Sequence, residues 1–73
     1  MKITVRFFGE LKKYDPDKEW TDVHTIADIV SRVPGLKVEP MNFLVSRNGE
    51  MADIQTKLKE GDEIRFLPMI MGG

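Results

Sequence analysis

The chain has no cysteine, so disulfide staples, thiolate metal sites and self-acting thiol chemistry are excluded together. Its single histidine, His24, precedes a helix cap and reads as a solvated loop residue rather than a ligand. No apolar run approaches the length of about 18 residues that a membrane span needs, and no apolar h-region follows Met1, so neither a span nor a secretory leader is expected. No glycine-rich phosphate loop is present, and the chain itself is not expected to bind ATP. Eleven Lys and Arg against twelve Asp and Glu give a net charge of −1; the signs are interleaved, and without a basic face nucleic acid is not an expected partner. The acidic groups Asp15/Asp17/Glu19 and Asp53/Glu60/Asp62/Glu63 lack the ligand spacing of a hard-metal loop and read as solvated turns, so no metal site is expected. Small secreted domains usually lean on disulfides, which favours the cytoplasm here. At 73 residues the chain makes one domain that hides only about 60% of its unfolded surface, too little for a private buried active site.

What is present is a strong local pattern. Ile3, Val5 and Phe7 alternate with Lys2, Thr4 and Arg6, the signature of a half-buried strand. Phe8 breaks this phase and falls on the polar side. Gly9 and residues 10–17 read as a turn region, and Glu19 to Val23 as a second strand forming a hairpin with the first. Thr25 and Asp28 form a capping box, with Ile26, Ile29, Val30 and Val33 at helical spacing until Pro34-Gly35 stops the helix. Phe43 to Arg47 reads as a strand without a clear phase, Asn48-Gly49 as a hairpin turn, and Glu50 to Ala52 as a short strand. Asp53 to Leu58 has room for one helical turn. Glu63 to Leu67 is the last strand, with Ile64 and Phe66 inward and Leu67 out of phase. One helix on one face of a mixed sheet is an α+β two-layer domain.

The chain closes on Gly72-Gly73 directly after that strand and Pro68. Glycine has no Cβ and can thread a narrow slot. Residues 69–73 reach roughly 17 Å at about 3.4 Å per extended residue, far enough to enter another protein's active site. Met69 to Gly73 carry no Lys, Cys, His, Ser or carboxylate side chain that would attack an activated terminus. The expected organisation is therefore a body over 1–68 and a reactive tail over 69–73.

Val5-Arg6-Phe7-Phe8-Gly9-Glu10-Leu11, Gly61-Asp62-Glu63-Ile64, Pro68 and Gly72-Gly73 together resemble the small-subunit family of molybdopterin synthase, ubiquitin-like β-grasp sulfur carriers. The likeness covers most of the chain. The related thiamin-pathway carriers share the fold and the Gly-Gly end but usually lack the Phe-Phe-x-x-Leu opening. Met69, Ile70 and Met71 stand where the family commonly has Pro-Pro and a small residue, giving a more pliable apolar tail suited to a different groove.

The resemblance implies a role for each part. An E1-like adenylating enzyme would use ATP to activate the Gly73 carboxylate, and a sulfur donor protein would convert it to a thiocarboxylate. The large molybdopterin synthase subunit would take the sulfur to a pterin precursor, catalysis belonging to these partners. Phe8 and Leu67, out of phase at the ends of two strands, are the expected docking patch. Pro68, Met69, Ile70, Met71 and Gly72 would continue it into the tail, and Lys12 would add a charged contact. A thiamin-pathway carrier and a protein modifier that joins Gly73 to lysines are the alternatives.

Overall fold

The computed structural model describes residues 2–15 and 19–69. Its elements are β1 (Thr4–Phe7), a 3₁₀ helix (Gly9–Tyr14), α1 (Ile26–Ser31), β2 (Phe43–Arg47), β3 (Glu50–Met51) and β4 (Glu63–Pro68). The sheet runs β1-β4-β2-β3. β4 pairs parallel with β1 and antiparallel with β2, so the last strand formed in sequence is the one that joins the two halves. A parallel neighbour cannot be reached by a tight turn; the intervening chain crosses one face of the sheet and delivers Ile26, Ile29, Val30 and Val33 to the core.

That core is centred on Phe66. Its register places it opposite Phe7 on β1 and Val45 on β2. Phe7 stacks on it with ring centroids 5.1 Å apart, and Phe43 meets it edge-on at 5.4 Å. All three rings are buried, and offset or edge-on aromatic pairs are worth about 1 kcal/mol beyond the area they bury. Leu11, on the 3₁₀ helix, is buried with them, so the segment read as a plain turn region contributes to the interior.

α1 starts where the sequence places it. The Thr25 hydroxyl accepts from the Asp28 N–H while the Asp28 carboxylate accepts from Thr25. A further bond from the His24 N–H at 2.7 Å, with that of Thr25, holds the Asp28 carboxyl below its ordinary range. Two more orphan donors of the first turn find partners on 54–56, since Ala27 N–H donates to the Ile54 carbonyl and Ile26 N–H to that of Thr56.

Two expected elements are absent among the described residues. The strand over Glu19–Val23 is reduced to one antiparallel bridge, Ile3 with Trp20. The carbonyls of Thr21 and Asp22 are taken by the Arg32 guanidinium at 2.8 and 2.9 Å, and Asp22 sits at φ 59°, so the chain turns toward the end of α1 instead of following β1. The helical turn over Asp53–Leu58 is replaced by a turn in which the Asp53 carboxylate accepts from the Gln55 N–H. Carbonyls that would close a helix serve α1 instead.

Asp62 is a correction of a different kind. Read as part of a solvated turn, it is buried at 4% exposure. Its carboxylate accepts from Arg47 Nε at 2.7 Å, Asn48 Nδ2 at 2.9 Å and the Lys59 N–H at 2.7 Å. Asn48 in turn accepts from the Glu63 N–H. Burial alone would raise the Asp62 pKa; the three donors and the Arg47 charge outweigh it and bring it to about 2. The carboxylate thus ties the β2–β3 hairpin to the start of β4.

A folded-state pKa below the ordinary 3.8 means that Asp62 stabilises the fold fully above that value and loses its contribution as pH falls toward about 2. Thermal unfolding followed across this acid range is expected to show that loss. Asp62→Asn should cost about 1–3 kcal/mol near neutrality, because buried donors lose a charged acceptor. It should also flatten the acid limb, and an acid limb parallel to that of the parent chain would assign the titration to other groups.

Candidate functional site

Alternation along β4 sends Ile64 and Phe66 into the core and leaves Glu63, Arg65 and Leu67 on the outer face. β1 does the same, with Val5 and Phe7 inward and Thr4 and Arg6 outward. Phe8 continues β1 by one residue in extended conformation, its N–H donating to the Phe66 carbonyl at 3.0 Å. It therefore lies beside Leu67, and both are half-buried.

The register also supplies two residues that the sequence reading did not single out. Leu44 is the direct partner of Leu67 across β2–β4 and is 37% exposed. Met51, opposite Ser46 on β3, is 65% exposed. Phe8, Leu67 and Leu44 thus form an apolar band over three neighbouring strands, with Met51 beyond it on the sheet edge. The signal for Leu44 was the phase of Phe43-Leu44-Val45, legible only once Phe43 and Val45 are known to point inward.

Pro68 does not share that face. It pairs with Phe43 and lies over the backbone of Gly9, where a Cβ would come within 2.9 Å of the Pro68 ring. Gly9 itself has φ 58°, a left-handed conformation that side chains other than glycine's disfavour. Met69, half-buried, donates its N–H to the Asn42 carbonyl at 3.3 Å. The point where the chain leaves the sheet is therefore held from the β1 side by Gly9 and from the β2 side by Asn42 and Phe43. Lys12 is exposed on the 3₁₀ helix that follows Phe8. Ile70, Met71, Gly72 and Gly73 lie outside the described residues.

Among the described residues no three His, Asp or Glu side chains converge as a metal site would require, and no helix is long and apolar enough to cross a membrane. A groove of about 260 Å³ lies at the Lys2 end of β1, lined by residues that include Ile3, Val5, Glu19 and Trp20. Its lining includes none of Phe8, Leu44, Leu67, Pro68 and Met69. His24 is exposed, and its backbone rather than its ring is engaged at the cap. What this arrangement offers is an apolar band beside a chain exit, with no nucleophile or acid–base pair next to it among the described residues.

Comparison with known proteins places the chain in context. The model described as the ThiS family matches residues 5–73. Among solved structures, the chain is similar to one in the protein–protein complex of subunits 1 and 2 of molybdopterin-converting factor from Helicobacter pylori 26695, 29% identical over 100% of both chains with a TM-score of 0.65. It is also similar to SAMP1 from Haloferax volcanii, 24% identical over 100% of both chains with a TM-score of 0.70, a likeness of fold. The shared architecture is the ubiquitin-like β-grasp. No curated protein matches the chain.

Gly9→Ala should destabilise the fold by about 1–2 kcal/mol, from positive-φ strain and the crowding of Pro68 together. Gly49→Ala shares the positive φ but meets nothing within 4 Å, and it should cost less. Equal losses in chemical denaturation would mean that the Pro68 contact carries no weight.

Proposed function

The chain belongs to the ThiS family of ubiquitin-like sulfur carriers, and on that premise we propose that it serves molybdopterin formation, carrying sulfur on Gly73 to a large molybdopterin-converting subunit. The observation that carries this reading is the whole-chain likeness to a member of the molybdopterin-converting factor complex, joined to a family match that runs through Gly73. The apolar band of Phe8, Leu67 and Leu44 beside the chain exit supports it, since a partner seated there would have residues 69–73 within reach of its own interior.

The chemistry falls to the partners. A free carboxylate is a poor electrophile because oxide is its leaving group. An E1-like enzyme overcomes this by letting a Gly73 carboxylate oxygen attack the α-phosphorus of ATP, with pyrophosphate leaving. A bisulfide nucleophile, or a persulfide whose S–S bond a second thiol then cleaves, attacks the acyl carbon and expels AMP. The product is a thiocarboxylate at Gly73. In the large subunit that sulfur attacks the pterin precursor, and hydrolysis of the acyl link returns the carboxylate. Two such cycles deliver the two sulfurs of a dithiolene.

The body supplies the docking surface and the tail supplies the reacting atom. Met69, Ile70, Met71 and Gly72 would line the partner's channel, and the absence of nucleophilic side chains there protects the activated end from self-attack. Lys12, exposed on the helix that follows Phe8, would add a charged contact at the rim.

Intact mass of the protein isolated from its own cell should reveal a form with sulfur in place of one terminal oxygen. Deleting Gly73 should abolish sulfur transfer while far-UV circular dichroism stays unchanged. Phe8→Ala or Leu67→Ala should weaken binding to the large subunit about tenfold, equivalent to about 1.4 kcal/mol, with stability altered by about 0.5 kcal/mol or less. Isolation with a thiazole synthase instead of a large molybdopterin-converting subunit would move the carrier to thiamin formation. Gly-derived remnants on cellular lysines would make it a protein modifier.

A further inference from the structure

The outer face has a charged half as well as an apolar one. The β1–β4 register sets Arg6 directly opposite Arg65, and alternation turns both away from the core. Like charges on opposing strand positions destabilise a sheet, and the usual remedy would be an opposite charge at one of the two. The only carboxylate in the cluster is Glu63. It is committed to Arg65, which approaches it with Nη2 at 2.8 Å and donates from Nε at 3.0 Å. Arg6 Nε stands 3.7 Å from the other oxygen, beyond a hydrogen bond. Among the described residues this is the only ion pair of Arg6, whose side chain is 62% exposed. Two cations and one anion leave the cluster at +1 in a chain whose net charge is −1.

Position gives this local excess a consequence. Leu67 follows Arg65 by two residues on the same face and Phe8 follows Arg6 by two, which is about 7 Å along a strand. A standard interface covers about 800 Å² on each partner, far more than that spacing. A protein that buries Phe8 and Leu67 therefore also takes water from Arg6 and Arg65. An uncompensated cation removed from water is costly unless the partner brings a counter-charge.

We propose that Arg6 and Arg65 form a carboxylate-reading pair, and that its occupant is an Asp or Glu side chain on the rim of the partner surface that covers the Phe8–Leu67–Leu44 band. Arg6, only loosely paired with Glu63 at 3.7 Å, supplies the planar fork, which grips a carboxylate with two parallel N–H bonds. Glu63 holds Arg65 upright and restrains the excess charge while the face is uncovered. The inference rests on the carrier reading above, because the large subunit is the partner in question.

The test is stopped-flow association of the full-length chain with the large subunit from the same cell, across a range of ionic strength. The Arg6→Gln/Arg65→Gln double variant should associate about tenfold more slowly at low salt and show a flatter salt dependence, since steering by complementary charge acts chiefly on the on-rate. Arg6→Lys should restore the rate only in part. Glu63→Gln, which makes the face more positive, should associate faster than the parent; a damaged fold would push that rate the other way, so the sign separates charge reading from simple destabilisation. An unchanged rate and slope in the double variant, with the parent complex forming normally, overturns the inference and leaves the carrier reading intact. Failure of the parent chain to bind the large subunit overturns both. Binding of inorganic phosphate or an oligonucleotide to the free chain, lost in the double variant, would assign the pair to another ligand and overturn it as well.

Discussion

Phe66 sets the geometry on which the outer apolar face depends. Held by Phe7 on one side and Phe43 on the other, it locks β1, β4 and β2 in one register, and a slip of a single residue would reverse which side chains face inward. With that register fixed, the next residue on each strand has no choice of face. Phe8, Leu67 and Leu44 come together on the outside because their neighbours come together on the inside. The apolar band is thus a by-product of core packing, and its residues can change chemistry without disturbing the interior that places them.

The far end of β4 is secured by different means. There the stabilising contact is the buried carboxylate of Asp62, shared by Arg47, Asn48 and the Lys59 backbone. One end of the central strand is therefore apolar and the other electrostatic. The apolar end is the one beside the chain exit, where Pro68 rests on Gly9. A carrier needs a terminus that starts from a fixed point, and the contacts of Gly9 and Asn42 define that point.

Much of this was legible in the residues. Period-two alternation located β1 and β4, the capping box located the start of α1, and Asn48-Gly49 located the hairpin, because each of these signals is local. The failures share a cause. Leu44 could not be assigned a face until Phe43 and Val45 were known to be buried against Phe66, a partner more than twenty positions away. From its neighbours alone Asp62 reads as solvated, because its donors on Arg47 and Asn48 are brought to it by the sheet, not by adjacent positions. The second strand dissolved because Arg32, from beyond the helix, captured the carbonyls of Thr21 and Asp22. The outward phase of Leu67, by contrast, was visible from its own strand alone.

The Asn48–Gly49 turn sits at the end of β2 opposite Phe43 and Pro68, and a Cβ at Gly49 would touch nothing within 4 Å. That separation makes the hairpin tip a handle. A fluorophore, affinity tag or inserted peptide grafted there would project from the end of β2 remote from Phe43 and Pro68, so the protein can be tethered to a surface or tracked in solution with the Phe8–Leu67–Leu44 band left open.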